Sequence, residues 1–139
     1  RCGEGGEYYD KRAGANRILR SCRAQRWSEG GVGRGHGRQL LPADWVAFNR
    51  TPFANARREP GEPSPGGHWW LNQPDADGQR PWPSAPAGTY AALGHWGQAL
   101  YVVPEQNLVI VRYADDRDAS YRHDALLKRV LAALAGAGE

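Results

Sequence analysis

Two short apolar runs joined by four turn-type residues do most to limit what this chain can fold into. Ala99-Leu100-Tyr101-Val102-Val103 and Leu108-Val109-Ile110-Val111-Arg112-Tyr113 flank Pro104-Glu105-Gln106-Asn107. β-branched and aromatic runs around such a link predict a β-hairpin. Their nearly continuous apolar character predicts interior strands covered on both faces. Downstream, Leu126, Leu127, Val130, Leu131 and Leu134 recur at helical spacing, which predicts a helix over about 120–135. Asp118 or Ser120 is expected to cap its start, and Gly136 and Gly138 follow its end as helix stops do. The last third therefore reads strand, strand, helix.

Upstream, punctuation outweighs periodicity. The 139 residues include 18 Gly and 10 Pro, a heavy load of breakers for a compact fold. Residues 40–48 form a short helix candidate with Pro42 in the first turn, where its missing N–H is harmless. Leu41, Trp45 and Phe48 share one face of it, and it should stop near Arg50 because Thr51 precedes Pro52. Residues 54–67 and 73–88 are loops by composition. Between them, His68-Trp69-Trp70-Leu71-Asn72 reads as a short aromatic strand, and Thr89-Tyr90-Ala91-Ala92-Leu93 leads into Gly94-His95-Trp96-Gly97-Gln98.

Charge marks a boundary. Residues 1–38 carry nine basic and four acidic residues, net +5, whereas residues 39–139 carry nine basic and eleven acidic, net −2. The first segment also holds nine of the glycines and only Ile18, Leu19 and Val32 as aliphatics, so it buries little apolar area against its ordering entropy. It reads as a basic, poorly ordered arm or a frameshifted stretch, and residues 39–139 as the folded portion. No apolar run approaches the ~18 residues of a membrane helix, so no membrane span is expected. Cys2 and Cys22 have no metal-ligand spacing, and His36, His68, His95 and His123 form no His-Glu-x-x-His pair. No metal and no organic cofactor is expected. The chain contains no Met, and the expectation is that it starts inside a longer or altered reading frame.

None of Ser21, Ser28, Ser64, Ser84 and Ser120 has a lysine three residues on or sits in a Gly-x-Ser-x-Gly elbow, so no nucleophilic serine motif is present. Gly31-Val32-Gly33-Arg34-Gly35 lacks the context of a phosphate cradle. The arm's Arg34-Gly35 neighbourhood, with Tyr8, Tyr9 and Trp27 as stacking rings, resembles Arg/Gly segments that bind single-stranded nucleic acid. It does not repeat as such modules do, and nucleic acid is not the expected partner. The stretch with most chemical content is Gly94–Gln98, because glycines flanking a polar residue at a strand start mark a close backbone or ligand approach.

Taken in order, residues 39–46 (Gln-Leu-Leu-Pro-Ala-Asp-Trp-Val), His68-Trp69-Trp70-Leu71-Asn72, Ala92-Leu93-Gly94-His95-Trp96-Gly97-Gln98, Tyr101-Val102-Val103-Pro104 and Leu108-Val109-Ile110-Val111-Arg112 resemble the β-lactamase-related serine hydrolases. That family spans class C β-lactamases, penicillin-binding-type peptidases, and the esterase and 6-aminohexanoate-dimer hydrolase branch, to which the Gly-His-x-Gly-Gln segment is most similar. The resemblance covers residues 39–135. It implies the C-terminal part of a β-lactamase-like α+β fold, an antiparallel sheet with the C-terminal helix packed on one face. It implies that Gly94, His95, Trp96 and Gly97 lie on an active-site edge strand where the lactamases have Lys-Thr-Gly. His95 would position substrate or tune proton transfer, and Gly97 would let the acyl group approach. The Gln98 backbone N–H would be an oxyanion-hole donor, worth ~3 kcal/mol in other hydrolases. Trp96, bulky where the lactamases have Thr, would favour an apolar acyl pocket.

The parent activity implied is hydrolysis of a small-molecule ester or amide through an acyl-serine intermediate. The Ser-x-x-Lys and Tyr-x-Asn motifs of that chemistry are absent from the 139 residues, so the chain alone is expected to be inactive. Family members occur in the bacterial cell envelope and in the cytoplasm, so the resemblance leaves the compartment open. The competing reading is a non-catalytic binding protein on the same scaffold with a nucleic-acid-binding basic arm.

Overall fold

The computed structural model describes residues 38–136, together with the backbone of Arg34 and Gly35. The basic arm, and with it both cysteines, therefore lies almost wholly outside the described residues. Its last residues form a two-residue antiparallel pair, β1 (Arg34–Gly35) with β2 (Arg38–Gln39). Then come α1 (Ala43–Asn49), β3 (Ser64–Pro65), β4 (Trp70–Leu71), β5 (Tyr90–Leu93), β6 (Ala99–Val103), β7 (Leu108–Arg112) and α2 (His123–Ala135). Strands β3 to β7 form one sheet in sequence order, with every neighbour antiparallel. The fold is thus α+β, an antiparallel five-stranded sheet with a C-terminal helix.

Alternation dictates the layers. Along β6 and β7, Ala99, Tyr101 and Val103 and then Leu108, Ile110 and Arg112 are buried, while the residues between them are half-buried. Successive strand side chains point to opposite faces, so the buried set defines the core face. The α2 stripe predicted from sequence supplies its cover: Leu127, Val130 and Leu131 join Ala91, Tyr101 and Ile110 in one cluster closed by Trp82. Leu127 and Ile110 are fully buried, and each such side chain contributes about 1.5–3 kcal/mol of transfer free energy.

The long loop before β5 is pinned rather than loose. The Nδ2 of Asn72 donates to the carbonyl oxygens of Trp82 (2.9 Å) and Pro86 (3.0 Å), and its Oδ1 accepts the Trp82 N–H at 2.9 Å. A fully buried amide needs such partners, and here they set the Trp82 ring edge-on against Tyr101, with centroids 5.8 Å apart.

Three sequence expectations are corrected. First, β7 is the outer strand of the sheet rather than an interior one, and Leu100, Val102, Val109 and Val111 on the second face are only half-buried. On that second face Leu71 and Tyr90 are buried, with the Arg50 guanidinium and the Trp69 ring against Tyr90, so the cover reaches the β4–β5 end but not β6 and β7. Second, α2 starts at His123, and neither Asp118 nor Ser120 caps it. The Asp118 carboxylate instead accepts the Ser120 N–H at 3.1 Å within a local turn, a conformation Asp favours in competition with helix capping. Third, Leu41, Trp45 and Phe48 do share a face around α1, but each is 47% exposed; periodicity reports a face, not what covers it.

Candidate functional site

Gly94–Gln98 is the connection between β5 and β6. The Gly94 N–H donates to the Gln98 carbonyl at 2.8 Å, and the Gln98 N–H reaches back to the His95 carbonyl at 3.3 Å. Trp96 (φ 53, ψ 42) and Gly97 (φ 76) both have positive φ, the pattern of a type I′ turn, which suits the twist of a tight hairpin. Asn and Gly usually occupy such positions. A tryptophan there carries about 1–2 kcal/mol of backbone strain.

The edge-strand placement is therefore corrected. Gly94, His95, Trp96 and Gly97 lie in a hairpin turn, and β5 runs between β4 and β6. One short stretch of open edge does adjoin them. β4 pairs β5 only at Trp70–Ala91 and Leu71–Tyr90, so its ladder ends at Ala91. Because Gly94 bonds toward β6, antiparallel alternation turns the N–H and C=O of Leu93 the other way. Among the described residues they have no hydrogen-bond partner. The Gln98 N–H, expected as an oxyanion donor, is engaged in closing the turn and can serve a substrate only by releasing the 3.3 Å bond to His95.

What holds the turn comes from the far end of β7. Arg112 is 7% exposed. Its Nη1 donates to the Gly97 carbonyl at 2.5 Å and its Nη2 to the Asp116 carboxylate at 2.9 Å. Asp116 in turn donates its backbone N–H to the Trp96 carbonyl at 3.0 Å. Both central carbonyls of the turn are thus fixed by one ion pair. The guanidinium of Arg117 lies 4.2 Å from the Trp96 ring centre, a cation–π contact worth about 0.5–1 kcal/mol at an exposed site. His95 lies beside Trp96, rings 4.8 Å apart, and both side chains face solvent.

Behind the clamp, Arg112 stacks on Tyr121 with 3.7 Å between the guanidinium carbon and the ring centre. The Tyr121 hydroxyl lies 2.7 Å from that of Tyr101, which lies 2.5 Å from His123 Nδ1. Burial holds the Tyr101 phenol far above its ordinary value, so it stays protonated. Burial, and secondarily the Arg112 charge, push the His123 imidazole below its ordinary value. Neutral Nδ1 can accept from Tyr101, whereas a protonated ring replaces that acceptor with a second donor. None of Arg112, Asp116, Tyr121 and His123 was singled out from the sequence as a site residue. An Arg ending an apolar strand is the available signal, and it becomes informative only once the strand's buried face is known.

Two predictions arise here. Trp96→Asn is expected to raise stability by about 0.5 kcal/mol, because Asn tolerates the left-handed region and only the exposed Arg117 and His95 ring contacts are lost. Thermal unfolding checks it, with a rise of a few degrees expected. For His123, whose folded pKa lies below 6.5, the unfolded chain binds its proton first. Stability is therefore full above about pH 6.5 and falls as pH drops from there toward the folded value. In His123→Gln that part of the slope should vanish in urea titrations between about pH 5 and 7.5. The lowered carboxylates of Asp75 and Asp118 act in a separate window, below 3.8.

No protein-family model matches this chain, and no curated protein matches it. Among the described residues, no helix is long and apolar enough to cross a membrane, and no cluster of three or more His, Cys, Asp or Glu forms a metal-holding group.

Proposed function

We propose that residues 39–135 are the C-terminal portion of a β-lactamase-related serine hydrolase domain, in which the Gly94–Gln98 turn and the adjoining Leu93 edge form one wall of an acyl-transfer site. The observation that carries this reading is the strained, clamped turn. A tryptophan held at positive φ by a half-buried ion pair is a costly conformation, and such outliers concentrate at functional sites. It lies beside free backbone groups able to pair with an extended acyl or amide group.

In this reading Gly97 keeps the wall low enough for the substrate, Trp96 presents an apolar surface to the acyl chain, and His95 orients the leaving group or a proton carrier. The nucleophile and its base come from outside the 139 residues, which hold no Ser-x-x-Lys and no Tyr-x-Asn. The substrate class is a small ester or amide, attacked to give an acyl-serine that water then hydrolyses.

The test is to sequence the coding DNA upstream of Arg1 and translate it in all three frames. The reading expects a Ser-x-x-Lys and a Tyr-x-Asn-like motif, in frame or one base out, and ester hydrolysis by the restored chain. Absence of both motifs from every frame removes it. In the restored enzyme, Trp96→Thr should shift preference away from long apolar acyl chains by about tenfold in kcat/KM, the scale of one or two methylenes in an apolar pocket. An unchanged profile would count against the pocket assignment.

A further inference from the structure

Arg112 holds the β5–β6 turn, and the groups stacked behind Arg112 can take up a proton. The Gly97 carbonyl that Nη1 binds belongs to the same planar peptide as the Gln98 N–H, so one cannot rotate without the other. While the guanidinium keeps its place, the Gln98 N–H stays turned to the His95 carbonyl at 3.3 Å. The guanidinium itself is incompletely satisfied. Its Nε is buried and has no hydrogen-bond partner among the described residues. It is seated by the two Nη donors and by the Tyr121 ring, 3.7 Å from the guanidinium carbon.

Tyr121 joins Arg112 to His123. The imidazole packs edge-on against that same ring, centres 4.7 Å apart, and its Nδ1 reaches the Tyr121 hydroxyl through that of Tyr101. Tyr101 is fully buried, so its single O–H must go to one of these two neighbours. With Nδ1 bare, it goes to His123, and the Tyr101 oxygen accepts from Tyr121. One proton from solvent on Nδ1 reverses the chain. Nδ1–H then donates to Tyr101 and Tyr101 to Tyr121, whose own O–H loses its acceptor. The same proton sets an imidazolium and a guanidinium against one ring. Burial first, and the Arg112 charge second, disfavour that imidazolium. By linkage the imidazolium disfavours the seated guanidinium as much as Arg112 disfavours it. The other groups nearby are already engaged or uncharged. Trp82 comes from the loop before β5, Arg122 donates to the Ala119 carbonyl, Asp124 accepts from Ser84, and Asp116 accepts from Arg112 itself.

We infer that this network is a pH-operated latch on the Gly97–Gln98 peptide. Neutral His123 keeps the latch shut, with the Gln98 N–H engaged. Protonated His123 unseats Arg112, and the peptide is free to turn its N–H outward. As control of an oxyanion donor the latch rests on the function proposed above; as a coupling between His123 and the turn it rests on the contacts alone.

Amide exchange of the full 139-residue chain, followed by NMR without substrate, tests the coupling. Rates are taken from about pH 7.5 to about pH 4.5 and divided by those of unstructured peptide at each pH. Gln98 should lose protection about fivefold or more relative to the buried Leu131 of α2, the low end for coupled sites. The midpoint should coincide with that of the His123 imidazole, below 6.5. The loss should persist in His95→Gln, which removes the imidazole of the turn itself. It should vanish in His123→Gln, whose Oε1 still accepts from Tyr101. If His123→Gln unfolds, the midpoint in the unsubstituted chain decides. A Gln98 amide whose protection ignores pH overturns the inference. So does a midpoint that follows His95, a response that survives in His123→Gln, or one shared equally by Leu131. Absence of the upstream serine motifs would remove the acyl-transfer site and leave the His123 response standing, whereas a pH-blind turn with those motifs present would remove only the latch.

Discussion

Arg112→Met should lower the stability of the chain by about 3 kcal/mol and its unfolding midpoint by roughly 10 °C. The methionine keeps most of the stem and its packing, so the loss isolates the guanidinium. Three things go with it: the bond to the Gly97 carbonyl, the ion pair with Asp116, and the stack on Tyr121. Removing one partner of a buried pair commonly costs 3–5 kcal/mol because the remaining charge is stranded. The low end applies here, since Asp116 is 22% exposed and keeps some water. Arg112→Lys retains the charge but loses the fork that reaches Gly97 and Asp116 together, and should recover less than half. A local readout separates the clamp from general damage. Amide exchange at Gln98 and Asp116, the two N–H groups that bind the turn, should accelerate in Arg112→Met well before the amides beneath Leu127. Uniform acceleration across β6 and α2 would show Arg112 to be a core residue and nothing more.

The clamp also shows which parts of this protein were legible in its sequence. The β6–β7 hairpin and α2 were, because each is a local pattern: β-rich runs around a four-residue turn, and leucines at helical spacing. The Gly94–Gln98 stretch drew attention for its glycines, and the structure finds a real constraint there. Its conformation was not legible. A tryptophan at positive φ contradicts local preference, and what sustains it comes from Arg112, fifteen residues beyond Gly97, through a register that no local pattern encodes. The Tyr101–His123 contact spans twenty-two residues in the same way. Asn72 is a similar case: it read only as the last residue of a short aromatic strand, yet it is the buried hub that fixes Trp82. The exposed stripe around α1 marks the opposite limit, a pattern read correctly that nothing among the described residues covers.

Gly97→Ala tests the same clamp from the other side, with about 2–3 kcal/mol of destabilisation expected. Two costs combine. A residue with a Cβ held at φ 76 forfeits about 1–2 kcal/mol. The new methyl would also collide with Arg112 Nη1 and lie 3.1 Å from the Asp116 carboxylate, so the guanidinium must move and give up its bond to the Gly97 carbonyl. If that displacement is the mechanism, the two substitutions share a cost. Once Arg112 is methionine, adding Gly97→Ala should remove only the backbone share, about 1–2 kcal/mol, leaving a coupling energy of about 1 kcal/mol in a double-mutant cycle. Urea unfolding of the four variants at one pH above 6.5, where His123 contributes no slope, gives the cycle directly. Strict additivity would mean that the alanine acts through φ alone and that the guanidinium finds room beside it. The turn would then owe its shape to the backbone of β5 and β6, and the strain at Trp96 would have to be sustained by the Arg117 stack and the Asp116 N–H without help from Arg112.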